Sequence, residues 1–346
     1  MYQSPTRLFF LTFLLFNSFY LLAQSPVIAV IDFYGMNKVT EKQIREQLGL
    51  REGDSVQYFS GDDPIKKIEA IPGVWKAAIA TVCCDDRTGQ SIAYIGIAEK
   101  PQAAVRYHPA PTSPVILPVA ITDAYNDFFA RMVEGIQQGQ SGEDRTQGHA
   151  LAQYAPARAK QQQFVQMVKT HLPVLKKVLR SSVNAEQRSI AAYVLAYASD
   201  KNLVIPDLLY AVQDGHEHVR NNATRALALI AAYAAHNPAK KLQKIPAAPF
   251  ISLINSLTWT DRNKGAAVLL ALTETRDKAI LQKIKQTALT PIIDMAQWKS
   301  KGHAIMGYLL LGRLAGASDK KIYTSFDSES KNAVLQEWKI KLKEFL

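Results

Sequence analysis

Three groups of side chains have types and spacing that could do chemistry. Glu143, Asp144 and His149 fall in one short run, "EDRTQGH", and carboxylates beside an imidazole are the raw material of general acid–base catalysis. The run lies inside the polar, Gly-rich stretch "QQGQSGEDRTQGH". Spacing alone fixes no mutual geometry, so a solvated loop is the preferred reading. His216 and His218 in "GHEH" stand two apart, which suits a turn or strand better than one helix face. With no third ligand nearby, two exposed loop histidines are expected rather than a metal site. Cys83 and Cys84 are the only cysteines and are adjacent. In a strand, neighbours point to opposite faces, so one thiol is expected to fill core and the other to be partly exposed. No nucleophile elbow, phosphate loop or zinc motif appears, so neither catalysis nor a cofactor is expected.

The other candidates are basic. Arg188, Arg220, Lys264 and Lys301 are each followed three residues later by Ala, in "RSIA", "RNNA", "KGAA" and "KGHA". A basic residue recurring at such intervals could form a ladder for an acidic partner. It could instead tie neighbouring units together through carbonyls or an Asp. The second reading is preferred, because a once-per-repeat residue contacts its neighbours by construction. Lys240, Lys241, Lys244, Lys283 and Lys285 are candidates for contact with anionic surfaces. The charge is uneven: Lys+Arg against Asp+Glu is 9 to 11 over residues 26–101, 5 to 5 over 102–165, and 26 to 14 over 166–346. The positive excess therefore belongs to the C-terminal half.

Those basic residues must ride on helices. A Pro precedes each block (Pro173, Pro206, Pro249 and Pro291), and an aliphatic residue follows it two positions on. Proline suits the first turn of a helix, so each unit reads as a Pro-started helix, a turn, and a second helix carrying the basic residue. The unit "IPDLLYAVQDGHEHVRNNATRALALIAAYA" (205–234) carries the phrase most fully at Asp214, Val219, Arg220, Ala223, Ala226 and Leu227. These units resemble HEAT repeats. The resemblance implies an all-α solenoid of helix pairs over residues 166–346 that binds other proteins on a concave face. Upstream, residues 102–165 are expected to be a Pro-rich, Gly-rich polar linker. It has one possible helix, "ITDAYNDFFARMVEGI", capped at Thr122 or Asp123.

The N-terminal part reads differently. "VIAVIDF" (27–33) is β-branched and short, hence a strand. Thr40 and Gln43 make a capping box, and Val39 with Ile44 makes a hydrophobic staple. Gly49 stops that helix. A second helix is expected in "DDPIKKIEAIPG", capped by Asp63 with Pro64 in its first turn. Two strands, "VWKAAIATVCC" and "SIAYIGIAE", flank the loop "DDRTGQ". The order β-α-α-β-β over residues 26–101 predicts a small α+β unit. It resembles a POTRA domain of bacterial envelope proteins in "VIAVIDFYG" with Gly35, "VTEKQIREQLGLREGD" with Gly53 and Asp54, "IKKIEAIPGV" and the closing "IAEKP". That resemblance implies protein binding, often by pairing a guest strand with an exposed sheet edge, and no catalysis.

Residues 1–24 have a basic start at Arg7 and an apolar run from Leu8 to Ala23, then small or polar residues. This is the pattern of a cleaved secretory signal; a retained anchor is the alternative. The expectation is an exported protein of the periplasm or outer-membrane periphery of a Gram-negative bacterium. Export removes nucleic acid as a partner for the basic half. The leading functional reading is a non-enzymatic scaffold binding envelope proteins. The alternative is a basic solenoid binding anionic lipid or polysaccharide. An enzyme built on helical repeats ranks last, since no site is visible.

Overall fold

The computed structural model describes residues 26–85, 87–100 and 105–346; the N-terminal apolar segment with its expected signal lies outside the described residues. The first unit opens with β1 (Ile28–Tyr34) and α1 (Glu41–Leu48). Thr40 Oγ1 accepts the Gln43 N–H at 3.3 Å, while Gln43 Oε1 accepts the Thr40 N–H at 2.8 Å. Gly49 closes the helix in the left-handed region at φ 67°, where only glycine is unstrained. α2 (Asp62–Glu69) begins two residues earlier than expected. Its cap is Gly61, and Asp63 lies in the first turn with no side-chain capping bond. β2 (Lys76–Cys83) and β3 (Ser91–Ala98) complete the unit.

The sheet order is β1-β3-β2, with β1 parallel and β2 antiparallel to β3. One face packs on α1 and α2 through Ile31, Val39, Ile44, Ile68, Ile95 and Ile97. β3 is buried from Ile92 through Ala98, and such a continuous apolar strand needs cover on both faces. The second cover is the helical body. Val30, Tyr34, Ile92 and Tyr94 belong to the body's own core. Cys83 and Cys84 are both exposed at the end of β2 and are bonded to each other. The expectation that one of them fills core is therefore corrected: β2 is an edge strand, and its end, where Cys83 still pairs with Ser91, is exposed.

Among the described residues thirteen α-helices are present, two in the first unit and the rest in the body. Residues 105–118 run extended over the body. α3 (Val119–Gln137) starts after Pro118, earlier than Thr122 or Asp123 suggested. A two-stranded hairpin follows, β4 (Glu143–Asp144) with β5 (Leu151–Ala152), and then α4 (Ala155–Ser181). Where a linker was expected, Leu117, Ile121, Phe128 and Leu151 are buried in the common core. The polar spacing masks this, because only about one residue in five of the segment is buried.

Helix pairs then stack in order: α5 (Ala185–Leu195), α6 (Ile205–Ala211), α7 (Glu217–His236), α8 (Ala248–Ile254), α9 (Trp259–Leu272), α10 (Lys278–Ala296) and α11 (Lys301–Leu314). α5, α7, α9 and α11 pack in one row, while α4, α6, α8 and α10 flank them. α12 (Asp319–Phe326) and α13 (Lys331–Lys341) close the end. Pro206 and Pro249 start helices as expected. Pro173 and Pro291 lie inside helices instead, and α4 kinks at His171, φ −117°, two residues before Pro173. No helix among the described residues is long and apolar enough to cross a membrane.

Candidate functional site at the open sheet edge

The sheet is held on the body by groups that also decide which of its edges is free. The Lys299 N–H donates to Asp32 Oδ2 at 2.8 Å, and Lys299 Nζ to the Ile31 carbonyl at 2.6 Å. The Gly35 N–H donates to Asp294 Oδ2 at 3.0 Å, and the Tyr34 hydroxyl to the Leu257 carbonyl at 2.6 Å. Tyr94 stacks on Trp259, centroids 5.1 Å apart, and its hydroxyl meets His303 Nδ1 at 2.7 Å. The Arg262 guanidinium lies 4.4 Å over the Tyr34 ring. Burial pushes the Asp32 carboxyl up, with the Lys299 N–H and charge opposing. Burial likewise raises Asp294, against the pull of Arg262.

β1 is thus covered along its outer side. Lys299 takes the Ile31 carbonyl, and the turn at Gly53–Asp54 takes both polar groups of Ile28. A bulge between Ile28 and Val30 interrupts its ladder as well. β2 has no strand on its outer side among the described residues, and it pairs with β3 without interruption from Lys76↔Ala98 to Cys83↔Ser91. The Ala77 N–H points outward, to Glu69 Oε1 at 3.2 Å. By alternation Ile79 and Thr81 present their amides outward too. Ala77, Ala78 and Ala80 leave the backbone accessible. Natural edges are usually blunted by proline, bulges or inward charges; here Lys76 with Glu69, 3.4 Å apart, guards only the first residues.

A groove of about 330 Å³ opens beside the start of this edge. β2 supplies one wall through Trp75, Ala77 and Ala78. The opposite wall is Val105, Tyr107 and the turn before α9, which includes Leu257. Trp75 is 45% exposed. Tyr107 is held from behind by Arg220, whose guanidinium lies 4.3 Å over its ring. A second hollow, near Asn37 and Val39, offers less. Its N–H groups at Asn37, Lys38 and Val39 are already taken by Glu99 Oε1 at 2.6, 2.6 and 2.8 Å.

The repeating basic residues occupy unlike places. Arg188 is buried, with Nε and Nη2 on Asp214 at 2.7 and 2.8 Å and Nη1 on the Ser182 carbonyl at 2.8 Å. Arg220 repeats this on Asp261 at 2.8 and 2.9 Å, with Nη1 on the Asp214 carbonyl at 2.9 Å. Burial works against its charge, but Asp261 outweighs burial and holds Arg220 above its ordinary value. The third member is Arg262, not Lys264: its Nε takes the Ser256 carbonyl at 2.6 Å, and Nη1 lies 3.8 Å from Asp294. In all three the accepting carbonyl lies six residues back. The signal is legible, since "RNNA" at Arg220 matches "RNKG" at Arg262, two residues before the Lys264 that spacing to Ala selects. Lys264 is half-buried on α9. Lys301 is exposed, 3.8 Å from Asp327. Lys240, Lys241, Lys244 and Lys283 are exposed, and Lys285 lies 5.3 Å over the Phe345 ring.

The run Glu143–His149 is not a solvated loop. His149 is buried with Nδ1 3.0 Å from Lys201 Nζ, and burial together with that ammonium pushes it down to about 4. Burial pushes Lys201 down to about 7. Glu143 and Asp144 turn away from His149, toward Arg145 and Arg225 and toward Thr146 and Arg158, so no acid–base constellation forms. His216 and His218 are exposed with rings 5.3 Å apart, beside a groove lined by Tyr125, Phe129 and Glu186. Among the described residues no three His, Cys, Asp or Glu side chains are placed to hold a metal. Comparison with family models, curated proteins and solved structures finds no match for this chain.

Proposed function

We propose that this is a non-enzymatic binding protein of the bacterial cell envelope that receives an extended segment of another protein as a fourth strand beside β2. The observation carrying this reading is the contrast between the two sheet edges: β1 is interrupted and covered, while β2 runs eight residues in regular register with its outer side open among the described residues. Backbone pairing would supply affinity, and the groove beside Trp75 and Tyr107 would take an apolar side chain of the guest. The POTRA-like order of the first unit and the HEAT-like pairing of the body both fit a scaffold. The body would present the edge by anchoring the opposite side of the sheet.

Thr81 provides the test. Its amide points away from β3, so proline there removes no ladder hydrogen bond but blocks an incoming strand. Thr81→Val alters only the side chain. Proteins crosslinked through a photoreactive residue at Lys76 in envelope extracts are compared across the two variants. The expected result is loss of partners with Thr81→Pro and retention with Thr81→Val. Equal yields from both variants would sink the proposal.

A further inference from the structure

Lys264 is the cation that the repeating Arg–Asp pairs leave out, and its surroundings are unusual. Glu143 on β4 accepts Arg145 Nη2 at 2.9 Å and also pairs with Arg225 on α7. Lys264 reaches the same place from α9. Arg225 and Arg145 repel its charge, and Glu143 is the carboxylate that attracts it. Lys264 makes no hydrogen bond or ion pair among the described residues. Asp144, next to Glu143, is engaged by Arg158 at 3.1 Å and by Thr146. Three cations therefore share one carboxylate. A half-buried ammonium that must share its counter-charge with two guanidiniums is costly, and burial pushes Lys264 down to about 8.

The cluster opens into a space. A groove of about 240 Å³ runs between α7, α9 and α11, with Arg145 on its rim and Ala228, Ala232, Ala267 and Ala271 along its walls. Ala228 stands three residues beyond Arg225 on α7, and Ala267 three beyond Lys264 on α9. Helical spacing puts each pair on one face, so the cations sit at the head of the groove. Glu274 and Arg313 line the groove as well, and Glu274 faces His236 Nε2 at 3.2 Å. Pockets for drug-sized ligands run about 300–1,000 Å³, so this one suits a compact ion.

We infer that Arg145, Arg225 and Lys264 form an oxyanion site for a phosphate group, with Lys264 supplying the unpaired donor and the alanine-walled groove the room. Two guanidiniums offer planar paired donors and the ammonium a point charge, a combination suited to phosphate oxygens. The site is separate from the β2 edge, and neither depends on the other. The phosphate could be free or carried on a lipid, and binding separates these sources.

The test uses the full chain at constant ionic strength set with chloride. Inorganic phosphate is titrated by calorimetry into wild type, Lys264→Met and Arg145→Gln. Phosphatidylcholine vesicles with and without phosphatidic acid are assayed by co-sedimentation. Arg145 is 61% exposed in its side chain, so its substitution leaves the fold intact even if the other variant misfolds, and circular dichroism monitors both. The expected result is saturable phosphate binding, weakened roughly ten- to a hundredfold by Lys264→Met and less by Arg145→Gln. Binding only to phosphatidic acid vesicles, lost in the same variants, supports the site with a lipid-borne phosphate. No binding to either probe, or binding unchanged in both variants, overturns it.

Discussion

Replacing Arg220 with methionine separates a structural ladder from a partner-binding one. Met keeps much of the aliphatic volume and removes the guanidinium. Four hydrogen bonds disappear: two to Asp261 at 2.8 and 2.9 Å, and two to the carbonyls of Asp214 and Gly215 at 2.9 and 3.1 Å. Asp261, only 2% exposed, keeps the Ser256 hydroxyl at 2.9 Å as its remaining side-chain partner. Breaking a buried pair from one side costs about 3–5 kcal/mol, whereas an exposed pair is worth about 0–1 kcal/mol. The stacking of Arg220 on Tyr107 is lost as well, worth about 0.5–2 kcal/mol. Urea denaturation followed by circular dichroism measures the sum. Most of the penalty belongs to the stranded carboxylate, so adding Asp261→Asn to Arg220→Met restores part of the loss. A cost below about 1 kcal/mol for Arg220→Met, or no recovery in the double variant, refutes the reasoning. In that case Arg220 is free to serve a partner.

Four further outcomes follow from other parts of the fold. Lys201 has a folded pKa of about 7 against an unfolded value of about 10.4. The unfolded chain binds the extra proton between those values, so stability rises with pH from about 7 to about 10.4, by roughly 4–5 kcal/mol if Lys201 acts alone; Lys201→Met flattens that slope in denaturation curves. His149, at about 4 when folded against about 6.5 unfolded, acts at the acid end: stability is lost as pH falls from about 6.5 to about 4, and His149→Gln removes this loss. Gly96→Ala places a Cβ 2.5 Å from the Tyr34 ring. The clash costs about 1–3 kcal/mol and loosens Tyr34 from Leu257, read as faster protease cleavage between residues 100 and 119. Thr81→Pro leaves the thermal midpoint within a few degrees of wild type, because the amide it removes is outside the ladder; a large drop would mean that amide is internally bonded.

The elements legible in the sequence are those made by neighbours along the chain. The Thr40–Gln43 capping box, the Gly49 stop and the starts at Pro206 and Pro249 depend on residues a few positions apart. So does the helical spacing that separates the body from the small sheet. The Arg–carbonyl motif was also within reach, since its acceptor lies six residues back each time. The Arg-Asn pair marks it at Arg220 and Arg262, whereas spacing to alanine points to Lys264.

Other features depend on residues brought together from far apart. Lys299 covers β1 from 267 positions away, and no pattern within β1 or β2 says which edge such a cover will choose. The segment after residue 104 reads as a linker because its buried residues are scattered among polar ones. They become core only when α3 and the β4–β5 hairpin meet α4 and α5. Glu143 and His149 are near neighbours in sequence, yet the hairpin sends one to Arg225 and the other to Lys201. Local rules therefore determine which elements form. The burial of β3 on both faces, which forces the sheet onto the body, decides which edge and which charges remain available.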